Sequence, residues 1–252
     1  MMSRVRFAAL YLAVTAAIAI LVFLTARFFW YPYDLFTAAG GRDLFFLVSG
    51  VDLVLGPVVV FILYKPGKKG LKLDLATVGA LQLAALCFGI WVLFESRPAF
   101  IVFVKDRFEL VRANEIPAQE AAKARGTSFA HPPLWGPRVV GAVLPKDSDE
   151  QFRVTMSAMA GQDLHFFPQH YMPYEDLKGD VMLKAFPMAR LRALNPGKGE
   201  AIEALEKRLG KTDADLRFLP MRAGPTLDLT VIVDNVRAEV VDIVALRPWE
   251  YK

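Results

Sequence analysis

The residues able to do chemistry are few and scattered. Three histidines (His131, His165, His170) and a single cysteine, Cys87, stand among 252 residues. His165 and His170 are five apart, an awkward spacing for one helical face, and no HExxH or related metal pattern is present. Each histidine reads as a surface or hydrogen-bonded core residue. A lone cysteine excludes an intrachain disulfide framework and any multi-cysteine metal site. Cys87 falls in an apolar run, where packing suits it better than redox chemistry. GxSxG, Walker-lysine and GxGxxG patterns are missing. Gly67-Lys68-Lys69-Gly70 shares only composition with a phosphate loop and reads as a basic turn. The sequence therefore predicts no enzyme: no catalytic residue, no cofactor and no metal.

One residue does violate its surroundings. Asp52 stands inside the otherwise apolar run 44–64. It is eight positions past Leu44, roughly 12 Å along a helix. An ionised carboxylate at such depth in a bilayer costs a few kcal/mol, so such residues face protein or water and are functional candidates. Ser49 and Gln82 are its nearest plausible polar partners. Gly50, Gly56 and Pro57 surround it; small residues permit close helix approach, and proline frees a backbone carbonyl. Two readings stand side by side: a neutral carboxyl bonded to Gln82 or to a freed carbonyl, or a contact with a partner's transmembrane helix. A second candidate is the aromatic stretch Phe166-Phe167-Pro168 with Tyr171 and Tyr174, either core packing or a patch facing a partner.

The elements that hold Asp52 are long apolar runs. Of all residues, 54% are apolar and 22% charged. Both are compatible only if the apolar residues are segregated. Residues 7–25 and 75–94 carry no charge, and 44–64 only Asp52. Each is close to the ~20 residues that cross a hydrocarbon core as helix. Three transmembrane helices are predicted, at about 7–27, 44–64 and 75–95, within a membrane domain of residues 1–95. The first is too long for a cleavable signal and lacks a small-x-small site, so it reads as an uncleaved anchor. Phe28, Phe29, Trp30 and Tyr31 after it read as an interfacial belt.

Charge sets the expected orientation. Arg4 and Arg6 precede the first run, and Lys65, Lys68, Lys69 and Lys72 lie between the second and third. Arg27 and Arg42 are balanced by Asp34 and Asp43. The positive-inside rule puts the N-terminus and the lysine loop in the cytoplasm and residues 96–252 on the far side. The net charge is +4, and residues 95–252 hold 22 basic and 22 acidic side chains, so the whole excess belongs to the membrane part. Lys65, Lys68, Lys69 and Lys72 against anionic inner-membrane lipids account for it, and nucleic acid is not needed.

Residues 96–252 read as a small α+β domain with an antiparallel sheet. Strands are predicted at 99–104 and 108–112, paired across Lys105-Asp106-Arg107, and at 139–144, 215–219, 227–233 and 238–245, the last two forming a hairpin. Helices are predicted at 116–124, at 149–160 with Asp147 or Ser148 as cap, and at 198–209, stopped by Gly210. Residues 174–192 form a segment broken by Pro187, and 126–137 form a Gly/Pro-rich loop.

Several runs together carry a family resemblance: Trp30-Tyr31-Pro32, GVDLVLGP from Gly50 to Pro57, KPGKKGLK from Lys65 to Lys72, Arg97-Pro98, and the closing Leu246-Arg247-Pro248-Trp249. The chain resembles the TfpX/TfpZ family of type IV pilin accessory proteins of Gram-negative bacteria, most sharply over 30–107 and loosely over 115–215. The resemblance implies a multi-pass inner-membrane protein with a periplasmic C-terminal domain and no enzymatic activity. It implies a chaperone-like role in the stability or assembly of a cognate type IV major pilin, with the pilus assembly machinery as a further partner. The implied client has an apolar N-terminal helix, a charged N-terminal amine and an intramembrane glutamate. Asp52 would pair with that amine or share a proton with that glutamate. A membrane-anchored periplasmic sensor or ligand-binding protein is the alternative, and a transporter component using Asp52 as an ion site is a third reading.

Overall fold

The computed structural model describes residues 3–65, 67–224 and 227–250. Pro66 of the lysine-rich motif lies outside the described residues. Helix α1 (Arg4–Thr25) is capped by the Ser3 hydroxyl, which accepts from the Arg6 amide. A π turn at Ala26–Trp30 extends it. After the short helix α2 (Leu35–Ala38) come α3 (Gly41–Leu63) and α4 (Leu71–Glu95). Among the described residues, three helices are long and apolar enough to cross a membrane, over Arg4–Trp30, Gly41–Leu63 and Leu71–Glu95. The expected runs are thus all helical, extended by a turn or so where charged residues at the ends add no cost in water.

Helix α3 packs against both α1 and α4. Glycines set the spacing. A Cβ on Gly56 would stand 2.6 Å from Gln82 Nε2 and 3.0 Å from a Tyr11 ring carbon, and one on Gly89 would run into the Val48 side chain. Backbones approach this closely only where no side chain intervenes. Gly50 plays no such part: it is exposed, with nothing within 4 Å of a Cβ placed there.

The described residues of the remaining chain build an eight-stranded sheet. Its elements are β1 (Pro98–Val104), β2 (Arg107–Arg112), α5 (Ala118–Lys123), β3 (Arg138–Ala142), α6 (Ser148–Met159), β4 (Tyr171–Pro173), α7 (Lys178–Lys184), β5 (Phe186–Pro187), α8 (Met188–Leu194), α9 (Gly199–Leu209), β6 (Leu216–Arg222), β7 (Asp228–Asp234) and β8 (Val240–Val244). The strand order is β4-β3-β1-β2-β6-β7-β8, with β5 paired to β6. The β1–β2 and β7–β8 hairpins are antiparallel, as their short turns require. The sheet as a whole is mixed, which corrects the antiparallel expectation: β1 runs parallel to β3, and β2 parallel to β6. Both parallel pairs are joined by long crossovers through helices, the only kind of connection that parallel neighbours allow. All seven residues of β1 are buried, as befits a central strand covered on both faces.

The two faces are covered differently. On one, Phe100, Val102 and Val140 pack with Val154 of α6, and Phe218 and Ile232 with Leu191 and Ile202 of α8 and α9. On the other, Ile101, Phe108, Val231 and Ile243 share a core with Tyr31, Leu35, Phe36, Phe45 and Leu93. The connection between the first two long helices therefore shares a core with the sheet. The Asp34 amide donates to the Ile243 carbonyl, and Asp34 Oδ2 accepts from the Ala245 amide, both at 3.3 Å, so this connection also ties onto the edge strand β8. The Tyr31 hydroxyl, fully buried, donates to the Leu93 carbonyl at 3.0 Å and locks it to the end of α4.

Candidate functional site in the helix bundle

Asp52 is the twelfth residue of the 23 in α3, about 16 Å from either end at 1.5 Å per residue. It sits between Ser49 and Gly56, both buried on the inner face of α3. Tyr11 of α1 and Gln82 of α4 meet across this face: the Tyr11 hydroxyl donates to Gln82 Oε1. Gln82 thus has its partner, and it is not Asp52. Both carboxyl oxygens of Asp52 are buried and have no hydrogen-bond partner among the described residues. Thr15 does not serve them, since its hydroxyl donates back to the Tyr11 and Leu12 carbonyls at 3.2 and 3.1 Å. Of the readings that the sequence left open for Asp52, a bond to Gln82 is not the one seen: a tyrosine, whose reach from α1 gave no signal in the sequence, takes that amide oxygen.

Asp52 lies in a cavity of about 240 Å³ lined also by Tyr11, Thr15, Gly79 and Gln82. Val14, Ile18 and Leu83 on its rim are exposed, so the cavity opens outward between α1 and α4, with α3 as its floor. An unpaired buried carboxyl costs free energy until a donor reaches it. The arrangement can accept a hydrogen bond or an ion pair from a group entering between α1 and α4. Pro57 continues the helix one turn beyond Asp52 and leaves the Leu53 carbonyl without its intrahelical donor.

Tyr171 and Tyr174 are not surface residues. Both are buried, Tyr171 with its hydroxyl on the His165 carbonyl and its ring against Phe100 and Phe129, Tyr174 with its hydroxyl 2.6 Å from the Ala238 carbonyl. Burial pushes both phenols well above their ordinary range. A patch facing a partner cannot be built on them; they are core, as prolines that break a helical stripe still allow. On the far side of α3 the lysine connection holds Lys68 paired with Asp74, while Lys65, Lys69 and Lys72 are exposed.

The histidines stay apart. His131 is exposed, His165 is half-buried and its pKa is pushed down by the loss of solvent around it, and His170 Nε2 lies 3.0 Å from Glu150 Oε1. Among the described residues no group of three or more His, Cys, Asp or Glu is placed to hold a metal. Sequence reasoning missed the polar network next to His170. Arg153 bonds Glu150 at 2.5 and 2.7 Å and Glu120 at 3.1 and 3.3 Å, and Lys123 and Gln169 also reach Glu120. Hydrogen bonding to Arg153 holds the Glu150 carboxyl down at about 2. The i,i+3 spacing of Glu150 and Arg153 was its one sequence signal. Arg97 is 3% exposed, with Nε and Nη2 donating to the Pro133 carbonyl at 3.1 and 2.9 Å.

These features define a class: a bundle of three long apolar helices, joined through its first connection to a mixed-sheet domain, with a carboxyl inside the bundle that has no partner among the described residues. The relatives supply the family. A fimbrial assembly protein of serogroup I from Dichelobacter nodosus is 27% identical over 227 residues, 89% of this chain and 86% of that protein. The serogroup E1 protein is 29% identical over 227 residues, 88% and 86% of the two chains. The protein of serogroups C1 and C2 is 34% identical over 115 residues, 45% of this chain and 85% of that one. The chain belongs to the family of fimbrial assembly proteins. Those names reach the wider family and not the narrower TfpX/TfpZ group. No protein-family model and no solved structure matches the chain.

Proposed function

We propose that this chain is an inner-membrane accessory protein of type IV pilus biogenesis, chaperone-like, that holds a cognate major pilin before assembly. The N-terminus and the Lys65–Lys72 connection face the cytoplasm, where the exposed lysines meet anionic headgroups. The sheet domain lies in the periplasm beside the client's head. The client's apolar helix enters between α1 and α4 and brings a donor to Asp52. The observation that supports this most is the carboxyl itself: buried, without a partner, at the floor of a cavity open between two helices. Its relatives' shared name, fimbrial assembly protein, supports the pathway.

The test is capture. Photo-crosslinkers at Val14 and Leu83, on the cavity rim, should trap the major pilin in intact cells, whereas one at Val54, exposed on the face of α3 opposite Asp52, should not. Equal trapping from all three positions, or none from the rim while deletion of the gene leaves pilin abundance and pili unchanged, would sink the proposal.

A further inference from the structure

The Gly/Pro-rich loop 126–137 carries two large exposed apolar side chains, Leu134 at 62% and Trp135 at 64%. Exposure of such residues on a sheet domain calls for an explanation from position. The loop is fastened at two points. The Gly136 amide donates to the Phe29 carbonyl at 2.6 Å, and the Trp135 ring stacks edge-on against Phe29, centroids 5.6 Å apart. Arg97 grips the Pro133 carbonyl with two nitrogens while its guanidinium lies 3.6 Å over the Phe94 ring and a third nitrogen reaches the Phe94 carbonyl. Phe29 ends the first long helix and Phe94 the third. The loop tip is therefore held level with the ends of two helices.

That level has a definite depth, given the reading that these helices span the bilayer. A hydrocarbon core of ~30 Å takes about 20 residues at 1.5 Å each, so a span begun at Phe7 is complete near Ala26. Phe28 and Phe29, at 63% and 56% exposed, then fall in the headgroup boundary, and Leu134 and Trp135 beside them. Arg27, over the Phe28 ring, is the adjoining cation. Tryptophan prefers this boundary because its ring is apolar and its N–H is wet.

We propose that Leu134 and Trp135, with Phe28 and Phe29, form a membrane-docking surface that seats the sheet domain on the outer lipid leaflet. The domain is thereby fixed in orientation over the bundle as well as tethered to it. Its partner is the lipid surface itself, and the continuity of this patch with the ends of two spans selects lipid over a protein partner.

The experiment uses the full-length protein in phosphatidylethanolamine–phosphatidylglycerol vesicles with bromine either near the headgroup or near the chain end. The wild type is compared with Trp135→Phe and Trp91→Phe; Trp91 is an exposed residue of α4, inside the span. The emission lost in Trp135→Phe should be blue-shifted and quenched by the lipid brominated near the headgroup. If that component emits as a water-exposed indole and neither lipid quenches it, while the Trp91 component is quenched, the docking surface is refuted and the spans stand. If neither component is quenched, the spans and the docking surface fall together.

Discussion

Replacing Asp52 by leucine should make the isolated protein more stable and the cell's pilin less so. Both carboxyl oxygens are buried without a partner, so the folded chain bears a desolvation cost with nothing to offset it. At a helix centre facing lipid that cost is ~2.5–3.5 kcal/mol, and leucine there is favourable by ~0.3–0.6. Asp52 faces a cavity inside the bundle, where mutational data give about 1–3 kcal/mol for an unsatisfied polar group. The lower range is the better guide, because the Tyr11 and Gln82 dipoles line the same cavity. The expected gain is about 1–3 kcal/mol, up to a hundredfold in the unfolding equilibrium at 1.4 kcal/mol per tenfold. Equilibrium unfolding in mixed micelles reads it, with Asp52→Asn as a polar control near wild type. In cells, the same leucine variant should lower pilin abundance. Loss of more than about 1 kcal/mol in micelles would mean that Asp52 has a structural partner and that the free carboxyl is an illusion. A stability gain with undiminished pilin would separate the residue from the client.

Other outcomes follow from the same geometry. Gly56→Val drives a side chain into the Tyr11–Gln82 contact, and overpacking of this kind costs about 1–3 kcal/mol; a disulfide pair placed between α1 and α4 should form less readily in it. Arg97→Met strands the Phe94 and Pro133 carbonyls, for about 2 kcal/mol, and should raise the protease sensitivity of loop 126–137. Glu109, pushed up to about 7 by burial ahead of the opposing pull of Arg222 and Arg107, sets a pH dependence. A raised carboxyl binds its proton more tightly when folded, so its contribution is full below about 4.5 and is lost as pH rises through about 7. Glu109→Gln should flatten thermal stability across that window and leave the variant the more stable one above it.

What the sequence determined by itself is what local pattern encodes. Apolar runs of membrane length, two of them charge-free and the third broken only by Asp52, defined three helices. The Lys105-Asp106 turn defined the β1–β2 hairpin, the run 227–245 defined β7 and β8, and Gly210 ended α9 where it was expected, in the left-handed conformation. Asp52 was visible as a misfit. Its environment was not. Only the tertiary structure decided that Tyr11, 71 positions from Gln82, takes that amide and leaves the carboxyl bare. Only packing turned Tyr171 and Tyr174 inward, drew the first connection into the sheet's core, and set β3 beside β1 and β6 beside β2 in parallel. Periodicity reports which side of an element is apolar; it does not report which distant element covers that side. That choice is made by the summed burial of many residues far apart in the chain, and no single stretch of sequence contains it.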